Sequence, residues 1–438
     1  MKSRRGFPLP FAFIVFLLAC LNLTACSAAG ESARYKSQAD QFLAEGHLAE
    51  AVLTYRQALI SHPDDPELLS GFGKALSAQG RSRSAAEVLK RASSLKPNDS
   101  SIQDSLAKLV TRPQEGLSLK LAWFSSGIES EAVGAAIAEG KIFVAYANGS
   151  LAALDQGSGQ IVWQIATAAA LSSAPAADGR QVWVGAENGA VLVYAAGTGQ
   201  SLGFFQTNGA VVATPALSAE LAYCPSSDGA LYALERTGLK LAWKAAIGGA
   251  LHASALVSGT SVYVGSNDGR LYGLNAASGE RTWPYGIPSQ GAIESVPALS
   301  NGRIFFGSGD GRIHALDAET GGEYWHFSTP DAVYATPLVL NDQIIVASSG
   351  LVLASLGFSD GSPSWSLSFA HPLTAAPVYF KDRLFVVARG DVHLFSVDSQ
   401  TGKLEGELDT GDWLAQGALS AGSDLVMIGK DGAVFLYR

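Results

Sequence analysis

The chain has 438 residues, 47% hydrophobic and 16% charged, which is enough for about two or three domains. Its formal charge is −9 and no basic stripe breaks the acidic balance, which argues against a nucleic-acid binder and against a protein held on an anionic membrane by its own surface. The 48 glycines fit a turn-dense β protein, and with only Cys20, Cys26 and Cys224 there is no disulfide framework or cysteine-based metal site.

The first element is a targeting segment. Lys2, Arg4 and Arg5 precede an apolar core, Phe11–Cys20, that is short for a membrane span. Leu23-Thr24-Ala25-Cys26 then resembles the lipobox of bacterial lipoproteins. That resemblance implies removal of residues 1–25, acylation of Cys26 and a short tether over 26–31. Loss of the three basic residues takes the formal charge from −9 to −12. Several acyl chains on one cysteine give stable anchoring where a single chain is marginal. Ser27, rather than Asp, after the cysteine implies the outer membrane, facing the periplasm. Cys224 would be the remaining thiol, a small buried hydrophobe in the strand Ala222-Tyr223-Cys224.

Residues 32–110 read as helices. Gly thins out, and aligning Pro63 with Pro97 gives a 34-residue period. Ala39, Phe42, Ala51, Tyr55 and Ala58 then fall on Gly73, Leu76, Ala85, Leu89 and Ala92. The pattern resembles the tetratricopeptide repeat, with small residues where two helices cross. Ser101–Val110 reads as a closing helix, and the unit would be either a peptide groove or a plain spacer. Thr111-Arg112-Pro113-Gln114-Glu115-Gly116 reads as a linker.

From residue 117 to 438 the chain repeats every 40 to 42 residues. One series runs Trp123, Trp163, Gly203, Trp243, Trp283, Trp325, Trp365, Gly406. A second is a turn pair: Asn148-Gly149, Asn188-Gly189, Asp228-Gly229, Asp268-Gly269, Asp310-Gly311, Ser349-Gly350, Gly390-Asp391, Asp431-Gly432. These read as hairpin turns in which both central residues take positive φ. A third series, Ala135, Pro175, Pro215, Ala255, Pro297, Pro337, Pro377 and Ala418, belongs at the start or edge of the innermost strand, where proline costs no ladder bond. The first Trp precedes the first turn pair, and no Trp position follows the last. The expectation is a closed eight-bladed β-propeller in which Leu119–Ser125 supplies the outer strand of the last blade. The fold class is therefore mostly β, an eight-bladed propeller preceded by a small α-helical tetratricopeptide domain.

The units Ala153-Leu154-Asp155 … Ser158-Gly159 … Trp163 and Ala315-Leu316-Asp317 … Thr320-Gly321 … Trp325 resemble the tryptophan-docking repeat of quinoprotein propellers. In that family each Trp seals neighbouring blades, which implies this role for Trp123, Trp163, Trp243, Trp283, Trp325 and Trp365, with looser seals at Gly203 and Gly406. Quinoprotein dehydrogenases bind pyrroloquinoline quinone over the axis, but this chain has neither their vicinal cysteines nor insertions to build a substrate cavity. The propeller lipoproteins of the outer-membrane β-barrel assembly machine are the nearer likeness, although they lack a helical repeat. The resemblance implies a non-enzymatic envelope scaffold without cofactor, a monomer within a complex, binding other proteins and possibly the barrel-insertion machine. A quinone-dependent dehydrogenase or small-ligand propeller is the alternative.

Three residues before the Pro/Ala series the inner strands read Ala132, Ser172, Val212, His252, Glu294, Tyr334, Thr374 and Ala415. His252, Glu294, Tyr334 and Thr374 would cluster on one arc of the axial mouth, either as a small polar site or as solvated lining. The remaining histidines, His47, His62, His314, His326, His371 and His393, show no ligand spacing, and the turn carboxylates are too sparse for calcium. Apolar residues at Trp283-Pro284-Tyr285, Phe204-Phe205, Trp325-His326-Phe327 and Trp413-Leu414 are either inter-blade core or an exposed rim patch.

Overall fold

The computed structural model describes residues 28–78, 82–97, 99–110, 119–125, 128, 130–283, 287–373, 375–389, 393–410, 417–430 and 432–438. Cys26, the 111–116 linker, Pro284-Tyr285, Thr374, Gly390-Asp391, Trp413-Leu414 and Ala415 lie outside them. The chain divides into two compact units, one up to 113 and one from 114.

The first unit is all helix: Ala28–Ala44, Leu48–Ser61, Pro66–Ala78, Ser82–Leu95 and Ser100–Val110. The first helix already covers most of the segment expected as tether. It stops at Gly46, which takes φ +81 while His47 N–H donates back to Phe42 O at 2.9 Å. The third and fifth helices start alike, 34 residues apart. Asp65 Oδ1 accepts from the backbone N–H of Glu67 and Leu68, and Asp99 Oδ1 from Ser101 and Ile102. Small residues sit where helices cross: a Cβ on Gly73 would stand 2.5 Å from Leu89 Cγ, and one on Gly71 2.4 Å from Tyr55 Cζ. Ala39, Ala51, Tyr55, Ala58, Ala85, Leu89 and Ala92 are buried.

The second unit is a propeller of eight four-stranded antiparallel sheets. Blades 1 to 7 span 132–166, 176–206, 216–246, 256–288, 298–328, 338–368 and 378–409 in chain order. Blade 8 takes three strands from 419–437 and its outer strand from Leu121–Ser125, paired antiparallel with Val434–Tyr437. Beyond that ladder Lys120 and Arg438 exchange two backbone hydrogen bonds, each 2.9 Å. First strands touch first strands of neighbouring blades, so they ring the axis. Pro175, Pro215, Pro297, Pro337 and Pro377 each stand immediately before such a strand.

The core is not inside any blade. It is eight clusters, each shared by two adjacent blades; Phe143 and Trp163 of blade 1, for example, pack on Val182 and Leu192 of blade 2. A four-stranded sheet alone buries little, so stability resides in these seams.

The turn expectation needs correction. Gly149, Gly189, Gly229, Gly269 and Gly311 take positive φ, but the Asn or Asp before each does not. That residue instead folds its Oδ1 back on the N–H two residues on, as Asp228 does to Ala230 at 3.1 Å and Asn148 to Ser150 at 2.9 Å. In blade 6 the positive φ moves past Gly350 to Leu351, at +67. Turns with both central residues at positive φ occur at the other end of the blades: Glu139-Gly140, Asn301-Gly302 and Lys381-Asp382.

Candidate functional site

The outer strand of a blade is the place where one sheet meets the next. Each Trp of the repeat series donates its indole N–H to a backbone carbonyl of the following blade: Trp123 to Gln156, Trp163 to Ala196, Trp243 to Ala276, Trp283 to Glu319, Trp325 to Phe358 and Trp365 to Ser399, over 2.9 to 3.2 Å. The indole face lies under a glycine of that next blade. A Cβ on Gly159, Gly279, Gly361 or Gly402 would stand 2.4 to 2.5 Å from the Cε3 of Trp123, Trp243, Trp325 or Trp365. An aromatic residue on the second strand completes most docks, as Tyr223 does with Trp243 at 5.8 Å between ring centroids.

The seal expected to be loose at Gly203 is filled differently. Gly203 lies across the ladder from Val193, and Val193 lies across from Trp183, so the indole has moved two strands inward. Trp183 is fully buried, packed with Ala222, Cys224 and Leu234 of blade 3. A polar clasp closes the same seam. Arg236 of blade 3 forms an ion pair with Asp178 of blade 2, donates to Gln181 Oε1 at 3.3 Å and to Ser218 O at 2.8 Å, and Gln181 donates back to Arg236 O at 3.1 Å. Trp183 Nε1 donates to the same Gln181 Oε1 at 3.1 Å. Burial works against the Asp178 carboxylate, but Arg236 and the N–H groups of Gln181 and Arg180 outweigh it and hold the group below the usual carboxylate range. The seam beside Gly406 is packed by Phe380, Phe385, Leu119 and Tyr437.

His252, Glu294 and Tyr334 stand just before the first strands of three consecutive blades. His252 Nδ1 lies 3.6 Å from Glu294 Oε1 and 3.1 Å from Asn267 Nδ2. Asn267 Oδ1 is buried without a hydrogen-bond partner. Tyr334 leans on blade 5, where a Cβ on Gly309 would stand 3.7 Å from its hydroxyl. All three side chains are partly or well exposed. Asn267 escaped the sequence reading because it belongs to the turn of blade 4 rather than to the inner-strand register.

Two of the histidines that show no ligand spacing along the chain are neighbours in the fold. His314 and His326 face each other across a ladder in blade 5, and Glu323 Oε1 stands 2.9 Å from Nδ1 of the first and 3.2 Å from Nδ1 of the second. Burial pushes His314 below the ordinary imidazole value despite Glu323. The signal was a cross-strand register, which linear spacing hides. Among the described residues no group of three or more His, Cys, Asp or Glu is arranged to hold a metal ion. Cys224 is fully buried, and burial pushes its thiol far up, so it is inert.

The helical unit carries a polar hollow of about 230 Å³, lined among others by Lys36, Asp40, Ser70, Lys74, Lys96 and Ser101. A second, more apolar hollow of about 290 Å³ lies among Leu59, Pro63, Leu69, Phe72, Val88 and Arg91.

The family model described as outer membrane protein assembly factor BamB matches residues 103–202, 147–296 and 289–412. A tetratricopeptide repeat model matches residues 42–109. The crystal structure of BamB from Moraxella catarrhalis is similar over 74% of this chain and 98% of its own, with a TM-score of 0.66 and 17% identity. The computationally designed Ika8 protein is similar over 73% of this chain and 99% of its own, with a TM-score of 0.66 and 19% identity. At these identities the two structures speak for the fold alone. No curated protein matches the chain.

Proposed function

We propose that this chain, which belongs to the family of outer membrane protein assembly factor BamB, is a non-enzymatic scaffold of the cell envelope that holds other proteins. The observation that carries the reading is the family match itself, three overlapping stretches that together cover residues 103 to 412. The chemistry agrees with it. The tryptophans of the repeat and most of the glycines they face are consumed in seams, and among the described residues His252, Glu294 and Tyr334 form no nucleophile–base pair. Acylation at Cys26 would hold the protein on the outer membrane facing the periplasm. The propeller would then offer rigid rims and edges, and the tetratricopeptide helices a second surface, for envelope proteins such as a barrel-insertion machine.

The test is photo-crosslinking in cells from residues on the axial mouth and the outer strands, followed by affinity capture and mass spectrometry. Recovery of a barrel-insertion protein supports the assembly role. Recovery of unrelated envelope proteins keeps the scaffold and removes the assembly role. Crosslinks to no protein at any position would sink both. A Cys26→Ala variant that still sediments with membranes as the parent does would remove the lipid anchor.

A further inference from the structure

Every outer strand ends its blade with a row of backbone N–H and C=O groups, and no fifth strand covers that row among the described residues. Such edges invite pairing and are usually guarded by charge, proline or shortness. Blade 3 carries Lys244 on its outer strand, blade 5 Glu323 and His326, blade 6 Pro363, blade 7 Glu405 and Glu407, and blade 4 has a two-residue strand, Ile287–Pro288. Blade 2, like blades 1 and 8, has an outer strand with neither charge nor proline: Ser201–Gln206 reads Ser-Leu-Gly-Phe-Phe-Gln.

The contrast sharpens at one position. The residue after the Trp/Gly series faces solvent and is Gln164, Lys244, His326, Ser366 or Glu407 in blades 1, 3, 5, 6 and 7. In blade 8 it is Phe124, which rests on Phe435 at 5.1 Å between centroids. In blade 2 it is Phe204, 63% exposed, with Leu202 beside it at 47%. The outer strand of blade 1 is also uncharged and exposes Ile161 and Val162, each at 48%, but it presents Gln164 rather than an aromatic ring at this position. Phe204 is therefore a bare aromatic ring on a strand edge without charge or proline; the β-bulge at Leu202 is one that six other outer strands share.

We propose that the outer strand of blade 2 is a docking edge that takes an extended, uncharged polypeptide segment as a fifth strand along 203–206, with Phe204 packing on an apolar side chain of that segment and Leu202 flanking it at the β-bulge. Two observations select this occupant. The open backbone row needs donors and acceptors at strand spacing, which lipid chains lack and a second strand supplies. A second copy would bring another net charge of −9 to the edge, whereas an uncharged strand meets no such repulsion. Side chains across a ladder share a face, so an apolar residue of the segment would meet Phe204 on the regular stretch 203–206, with Leu202 beside it at the bulge. The proposal rests on the protein-binding reading above and names the class of partner for one edge.

The experiment uses the purified full chain and a fluorescent synthetic peptide of alternating valine and threonine, with binding followed by anisotropy. Binding is expected, weakened about tenfold or more by Phe204→Lys and by Phe204→Gln, and unchanged by Ser366→Lys on blade 6. N-methylation of alternate peptide amides should abolish it, because it removes the ladder donors. No peptide binding, equal binding of the N-methylated peptide, or equal loss with Ser366→Lys would each overturn the proposal. So would self-association, or binding to phosphatidylcholine vesicles, that Phe204→Lys removes while peptide binding stays absent. Crosslinks to envelope proteins from other positions would survive such a failure, which separates it from failure of the scaffold reading.

Discussion

The seam between blades 3 and 4 and the seam between blades 2 and 3 solve one packing problem in two ways. In the first, Trp243 reaches across from the outer strand, donates to Ala276 O at 3.0 Å and lies under Gly279. In the second, Gly203 holds the Trp position, the indole sits on the second strand as Trp183, and the Arg236 clasp spans the blades. Gly238, the counterpart of Gly279, has nothing within 4 Å of where its Cβ would stand. What the ring requires is a filled, hydrogen-bonded seam; which strand supplies the indole is negotiable. The two solutions should differ in their response to substitution and to acid.

The largest effect should come from breaking the seam between blades 8 and 1, where Trp123 uses the first solution on a strand borrowed from the other end of the propeller. Deleting Leu121–Ser125 strips blade 8 of its outer strand and of Trp123, and should cost on the order of 5 kcal/mol or more and broaden the melting transition. An unchanged calorimetric transition would show that the strand is not what closes the ring. Next, Trp243→Ala should cost about 3–5 kcal/mol in denaturant unfolding, as other large-to-small aromatic core changes do.

A glycine pair sharpens the contrast. Gly279 and Gly238 take φ of +72 and +87, so alanine is strained at both, by about 1–2 kcal/mol. Only Gly279→Ala also drives a methyl into Trp243, adding about 1–3 kcal/mol. Equal costs would mean that the indole does not constrain its glycine.

The smallest effect should be Arg236→Ala, about 1–3 kcal/mol, since it leaves Trp183 in place and removes hydrogen bonds around a partly exposed carboxylate. Its diagnostic is acid. Asp178 is held below its usual value in the fold, so its contribution is present above the unfolded carboxylate pKa of about 3.9 and fades as pH falls through the lower folded value. The variant should lose less stability than the parent between about pH 4 and pH 2. Parallel pH profiles would mean that the clasp does not set the Asp178 ionisation.

Much of this architecture could be read along the chain, because turn glycines and outer-strand tryptophans recur in phase and a repeat unit cannot bury its apolar faces alone. The eight-bladed ring and the helical repeat before it were legible in that way. The seam at Gly203 was not, because a residue-by-residue series sees a missing Trp and cannot see Trp183 in register two strands away. Turn geometry misled for a related reason: Asn and Asp before Gly suit two different turns, and the choice depends on the side-chain bond that Asp228 makes to Ala230. The His314–Glu323–His326 contact and the exposure of Phe204 are likewise products of pairing and solvent access, which linear order does not encode.

The two hydrogen bonds between Lys120 and Arg438 carry one more consequence. They set the two positions side by side on one ladder, so in a propeller cut free of residues 1–118 a short peptide could run from Arg438 to Leu119 without disturbing a seam. The chain could then be opened at the connection between any two blades. Circular permutants made in this way should keep all eight seams, because blade order around the axis is a cyclic property and the starting blade is only a matter of transcription.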